Sequence, residues 1–225
     1  MSQKMSTEIQ KVLVISPERL GQTRRERMSG QLNAHQGPLP QWKFTPGVDN
    51  LSAIIDEYSH LFGHEIDFGL GPTSWDAGAQ AVAISHVRAW SEVLEIDGWC
   101  LVLEDDAILK PRVNLQQFEL PTKECDFLTL FTAGISRYEV CAKPNFGVVV
   151  PNAGNYGCVG YIISPQGIDR LQSTIFPLKH PIDIAIYNAE SSAAVPKTFC
   201  FLHHFISHDE ETPSLRKSVS TSNGL

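Results

Sequence analysis

The sequence has no CxxC pair, no excess of basic charge, and no apolar run near the roughly 18–20 residues that a membrane-spanning helix needs. Each absence removes a class of function. The five cysteines stand at 100, 125, 141, 158 and 200. An odd number so widely spaced fits reduced thiols in a cytosolic protein rather than a disulfide frame or a zinc cluster. The opening stretch MSQKMSTEIQKVLVIS carries only a short apolar run, too short for a signal-peptide core. A cytoplasmic location is therefore expected, compatible with peripheral contact at the inner membrane. A formal net charge of −7 excludes a general nucleic-acid binder, whose phosphate contacts need a basic face. If such an acidic protein handles a phosphorylated ligand, a metal ion has to stand between the two negative partners.

What is present describes a soluble α/β protein. The 225 residues are 42% apolar and 19% charged, enough for one sizeable core. A single domain is expected over residues 1–208, followed by a polar, Ser-rich tail over 209–225. KVLVIS (11–16) predicts a buried first strand ended by Pro17. TRRERMSGQLNAH (23–35) predicts a helix with Met28 and Leu32 on one face. QWKFTPGV suggests a second strand, LSAIIDEYSHLF (51–62) a helix, and GLGPTSWDAG (69–78) a loop. In AQAVAISHVRAWSEVLEIDG (79–98), Ala83, Val87, Trp90 and Leu94 recur at i, i+4, i+7 and i+11, which makes one buried helical stripe; Gly98 is the expected C-cap. CDFLTLFT, FGVVV, GCVGYIIS and VPKTFCFLHHF predict further strands. PQGIDRLQSTI, with Pro165 in its first turn, and PIDIAIYNAE predict helices. Alternation of strands and helices implies a largely parallel central sheet flanked by helices.

One segment resists this smooth reading. WCLVLEDDAIL (99–109) runs as a buried strand straight into Glu104, Asp105 and Asp106. Three adjacent carboxylates repel one another, so they need solvent or a cation. Ligands of open α/β sheets bind beyond the carboxyl ends of strands, and hard cations such as Mg²⁺ and Mn²⁺ take oxygen ligands.

VLVISPERLGQTRRERM, AISHVRAW, WCLVLEDDAIL, YGCVGYIISPQG and HPID occur here in the order found in glycosyltransferase family 25, which this chain resembles from residue 12 to about residue 187. The resemblance implies a GT-A-like fold, a UDP-hexose donor, galactose or glucose, and inverting transfer to the hydroxyl of a glycan, which in a bacterium would be a lipopolysaccharide or lipooligosaccharide core. It also implies that the acidic triplet serves as a DxD-like motif. Asp106 would ligate Mn²⁺ or Mg²⁺. Glu104 would belong to the metal site with Asp106 or contact ribose or a bridging water, and Asp105 would stand beside the donor. Of the late histidines His203, His204 and His208, spacing favours His208 as an added metal ligand.

Other family-matched positions carry two readings each. Ser16 at the end of the first strand either contacts the nucleotide or caps the next helix. Arg24 and Arg25 either reach donor phosphates or form a charged first turn. Ser85 and His86 point about 100° apart on a helix, so they cannot pair as nucleophile and base; one faces the nucleotide, or His86 is a buried hydrogen-bonded histidine. Trp90 is core. Tyr156, Gly157 and Gly160 lie beneath the acceptor sugar, or the glycines serve packing. Asp183 in HPID is the expected base, because inverting transfer needs one carboxylate to take the acceptor proton; otherwise it is a helix N-terminal carboxylate.

The family pattern GExGxxxSH departs here at Ala79 and Ala81. That departure motivates an alternative, a catalytically inactive relative acting as a nucleotide-sugar-binding or scaffolding module. A metal-dependent phosphohydrolase is a weaker rival, because aspartate-nucleophile phosphatases place their DxD after the first strand.

Overall fold

The structure is a computed structural model that describes residues 8–18, 21–36, 39–48, 77–110, 113–117, 119–121, 124–176, 178, 180–187, 197–203 and 205–208. The expected helix 51–62, most of the loop 69–78, His204 and the tail 209–225 lie outside them.

β1 (Ile9–Pro17) is apolar on both faces because both are covered. Leu13 and Ile15 join one core cluster and Val12 and Val14 the other, the period-2 alternation of a central strand. β3 (Trp99–Glu104) repeats the pattern, with Cys100 and Val102 on the first side and Leu101 and Leu103 on the second. α1 (Gly21–Ala34) covers the second side. It is mostly polar and buries Arg24, Met28 and Leu32, which stand at i, i+4 and i+8. The first side is covered by α2 (Ala77–Leu94), whose predicted stripe of Ala83, Val87 and Trp90 is fully buried. Gly98, expected as its C-cap, lies four residues past Leu94 and instead turns the chain into β3 with φ of 144°.

After β3 come β4 (Ala107–Leu109), β5 (Phe127–Thr129), β6 (Tyr138–Val140), β7 (Phe146–Val149) and β8 (Gly160–Ile163). Then follow α3 (Pro165–Ile175), α4 (Ile182–Tyr187), β9 (Thr198–Phe201) and β10 (Ile206–His208), with β2 (Trp42–Gly47) earlier in the chain. Ser164 caps α3 by accepting a hydrogen bond from the Gly167 amide, with Pro165 at the first turn as expected.

The main sheet has the order β2-β1-β3-β8-β5-β9-β7-β6. β2, β1, β3, β5, β9 and β6 point one way, while β8 and β7 are reversed. The sheet is therefore mixed: direction is mostly shared, but each reversed strand makes antiparallel ladders with both neighbours. β4 and β10 form a separate antiparallel pair that sets His208 opposite Ala107. Neither β4, β6 nor β10 was expected as a strand of its own. Ile15 pairs with Glu104 and Leu103 with Gly160, so the ends of β1 and β3 and the start of β8 meet at one edge. Among the described residues no helix is long and apolar enough to cross a membrane.

Candidate functional site

At that edge β3 stops at Glu104, Asp105 and Asp106 form a turn, and β4 begins at Ala107. The turn gives each of the three carboxylates a different set of partners. Asp105 is 1% exposed and turned inward, where the Ser16 hydroxyl donates to its Oδ2 at 2.7 Å and Arg24 Nη1 to its Oδ1 at 3.0 Å. Burial raises the Asp105 carboxyl above its ordinary range, opposed by those bonds from Ser16 and Arg24. Arg24 Nη1 also stands 3.6 Å from Asp106 Oδ2. A buried guanidinium thus relieves the repulsion that the sequence poses.

Asp106 is 3% exposed. Its Oδ2 lies 3.2 Å from His208 Nε2, while its Oδ1 is buried and has no hydrogen-bond partner among the described residues. Unpartnered buried carboxylate oxygens are costly, so this atom fits a position that a ligand completes. Glu104 points the other way. Its Oε1 lies 3.0 Å from His86 Nε2, and His86 Nδ1 lies 2.8 Å from the Tyr161 hydroxyl.

Asp183 stands in the first turn of α4. Its Oδ2 accepts from the Gly157 amide at 2.9 Å and its Oδ1 from the Ile184 amide at 2.8 Å. Gly157 has φ of 86°, and the Tyr187 hydroxyl donates to its carbonyl at 3.1 Å. A pocket of about 180 Å³ joins the groups, lined by Glu104, Asp105, Asp106 and His208 together with Gly157 and Asp183. Ala79, Val82, Val159 and Ile182 are among its apolar walls.

The structure thus brings together Glu104, Asp105, Asp106, His208, Gly157 and Asp183. Other sequence-predicted positions stand behind them or apart. Ser16 is fully buried, its hydroxyl taken by Asp105 and by Arg25 Nε at 3.0 Å, so it braces the triplet. Arg24 faces carboxylates of its own chain. Arg25 bonds the Ser16 carbonyl and hydroxyl, with its guanidinium 5.3 Å from the Phe44 ring centre. Ser85 donates to the Ala81 carbonyl at 2.7 Å and accepts from the Val48 amide at 2.9 Å, which ties α2 to the end of β2. It makes no bond to His86. Gly160 sits under Ile206, where a Cβ would come within 2.2 Å of Ile206 Cδ1, so its role is packing. Tyr156 is half exposed and its amide bonds the Gly134 carbonyl. His203 bonds Asn145 at 2.6 Å, away from the triplet. Sequence reasoning missed Tyr161 and the inward turn of Arg24; the i, i+4, i+8 stripe of Arg24, Met28 and Leu32 was the available signal for the second.

Among the described residues no group of three or more His, Cys, Asp and Glu side chains is placed to hold a metal alone. Asp106 and His208 offer two donors, one with a free buried oxygen. Mg²⁺ and Mn²⁺ commonly sit on one or two protein ligands and complete their shells with water and phosphate oxygens. The donor set therefore suits a metal that arrives with a diphosphate better than a bare cation.

A family model described as glycosyltransferase family 25 (LPS biosynthesis protein) matches residues 76–186. That span contains α2, the acidic triplet, Gly157, Gly160 and Asp183. Compared with curated proteins, the chain matches none.

Proposed function

From the match of residues 76–186 to glycosyltransferase family 25, we propose that the chain transfers a hexose, galactose first among the candidates, from a UDP-sugar to a glycan acceptor such as a lipopolysaccharide core. The observation that carries the reading is one pocket lined by Asp106, His208 and Asp183 together. The fold that accommodates this is GT-A-like, with the donor diphosphate at the carboxyl end of β3.

Asp106 and His208 would hold Mn²⁺ or Mg²⁺, which as a Lewis acid neutralises charge on the departing diphosphate. Glu104 would contact the ribose or a bound water. Ser16, Arg24 and Arg25 support the triplet from behind and keep Asp105 fixed without needing to touch the nucleotide. Asp183, held by two backbone amides, would accept the proton of the acceptor hydroxyl as its oxygen attacks the anomeric carbon. The bond to the diphosphate breaks on the opposite face, so the product has inverted configuration. An acceptor linked to lipid would require contact with the membrane surface.

Isothermal titration of UDP-galactose and UDP-glucose with and without Mn²⁺ tests the donor and metal together. Metal-dependent binding supports the reading; no binding of any nucleotide sugar in either condition counts decisively against it. The pocket wall at Ala79, where the family pattern carries Glu, favours the second reading of an inactive donor-binding relative. Donor binding without hydrolysis or transfer over a broad acceptor panel would select that one.

A further inference from the structure

His86, Trp90 and Tyr161 form one hydrogen-bonded unit behind Glu104. His86 and Trp90 are four residues apart on α2 and so share a face, and Tyr161 meets them from β8. Trp90 Nε1 donates to the Tyr161 hydroxyl oxygen at 2.9 Å. That oxygen lies 2.8 Å from His86 Nδ1, and His86 Nε2 lies 3.0 Å from Glu104 Oε1. The three aromatic residues are at most 1% exposed.

With a neutral imidazole at His86, counting protons fixes the direction of the chain. An indole nitrogen can only donate, so the Tyr161 oxygen is the acceptor in the first bond. Burial holds the phenol well above its ordinary ionisation range, so the phenol keeps its one proton. Among the described residues, the acceptor this proton meets is His86 Nδ1. An imidazole that accepts at Nδ1 carries its own proton on Nε2. That N–H then donates to Glu104 Oε1 and leaves Oε2 for the pocket Glu104 lines.

We propose that Trp90 and Tyr161 are positioning residues that lock His86 in its Nε2–H form, and that His86 thereby sets which oxygen of Glu104 meets the nucleotide-sugar donor. The proposal rests on the transferase reading of the same pocket. A histidine that only filled core space would have no need of one tautomer.

The full chain labelled with ¹⁵N-histidine, its His86 signals identified by their loss in His86→Gln, reports the tautomer through long-range ¹H–¹⁵N correlations. The expected spectrum has Nε2 protonated and Nδ1 bare in the parent, and both tautomers in Tyr161→Phe. Calorimetry with UDP-galactose and Mn²⁺ then reads the consequence. His86→Gln sets an amide nitrogen where Nε2 stands and should keep Kd within about twofold. His86→Asn reaches only the Nδ1 position and should weaken binding about tenfold, the size of one hydrogen bond to a charged group. An Nδ1–H parent, or His86→Asn binding as tightly as the parent, overturns the proposal. If no form binds a UDP-sugar while the parent shows Nε2–H, the transferase reading fails and the tautomer lock stands on the spectrum.

Discussion

Arg24 Nη1 lies 3.0 Å from Asp105 Oδ1 across 81 positions of sequence, with both side chains at least nine-tenths buried. Removing one partner of such a pair strands the other charge in a poorly solvated place, at a cost of about 3–5 kcal/mol. Arg24→Met should therefore lower the unfolding free energy by that amount in urea denaturation followed by tryptophan fluorescence. Arg24→Met with Asp105→Asn should recover a large part of it, since the stranded charge is gone. If the single variant costs less than about 1 kcal/mol, the ion pair is not what braces the triplet.

Asp106 differs from Asp105 in having a buried oxygen without a partner among the described residues. Asp106→Asn should leave stability within about 1 kcal/mol of the parent, because the amide keeps one acceptor oxygen for His208 and Arg24 retains its closer partner Asp105. It should weaken Mn²⁺-dependent UDP-sugar binding by roughly one to two orders of magnitude, the range for one contact to a charged group. Titration calorimetry of variant and parent makes the comparison, and equal Mn²⁺ dependence in both would remove Asp106 from the metal site.

Gly157 and Gly30 offer opposite outcomes for the same substitution. Gly157 has φ of 86°, and a Cβ there would stand 2.8 Å from Phe131 Cδ1. Gly157→Ala should cost at least about 1–2 kcal/mol from backbone strain alone. It should also disturb the amide that holds Asp183. Gly30 is exposed within α1, with nothing within 4 Å of an added methyl, so Gly30→Ala should stabilise by about 0.4–1 kcal/mol. Paired thermal melts check both signs.

The long elements were legible in sequence because their packing is periodic. Trp90 falls on the α2 stripe, and WCLVLE is apolar on both faces, as a central strand requires. β4 and β10 were not legible. Each has three residues, and the partner of Ala107 is His208, so the pairing exists only once the chain has folded back. The same limit explains Arg24 and Arg25. Sequence showed two cations near a motif and suggested phosphate, while their nearest anion and hydroxyl are Asp105 and Ser16. At the pocket itself, Glu104, Asp106, His208 and Asp183, all singled out from sequence, line one cavity. Which way each carboxylate turns depends on one tight turn after β3, and composition carries no trace of it.

Buried thiols give the fold a response to alkaline pH. Burial pushes Cys100 up to about 12 and Cys200 to about 11, against an ordinary value of 9.0, and raises Cys125 and Cys158 as well. Above pH 9 the unfolded chain releases thiol protons that the folded chain keeps. The unfolded state then binds fewer protons, so stability falls as pH rises from 9 through about 11–12 and is unaffected by these groups below 9. Urea denaturation between pH 7 and 10 should show that slope. At pH 8, a disulfide reagent should modify partly exposed Cys141 first and the other four only on unfolding.

Asp183 separates binding from chemistry. Its carboxylate is held by the Gly157 and Ile184 amides in the pocket that Asp106 also lines, so Asp183→Asn keeps shape and one acceptor oxygen while losing the ability to take a proton. Donor affinity should stay within about twofold of the parent, since no contact to a metal or diphosphate is assigned to it. The transfer rate should fall by about 10²–10⁴, the usual contribution of a positioned general base. Steady-state kinetics alongside UDP-sugar calorimetry gives both numbers from one preparation. A variant that transfers at the parent rate would move the base elsewhere, and one that loses donor binding equally would make Asp183 a binding residue instead.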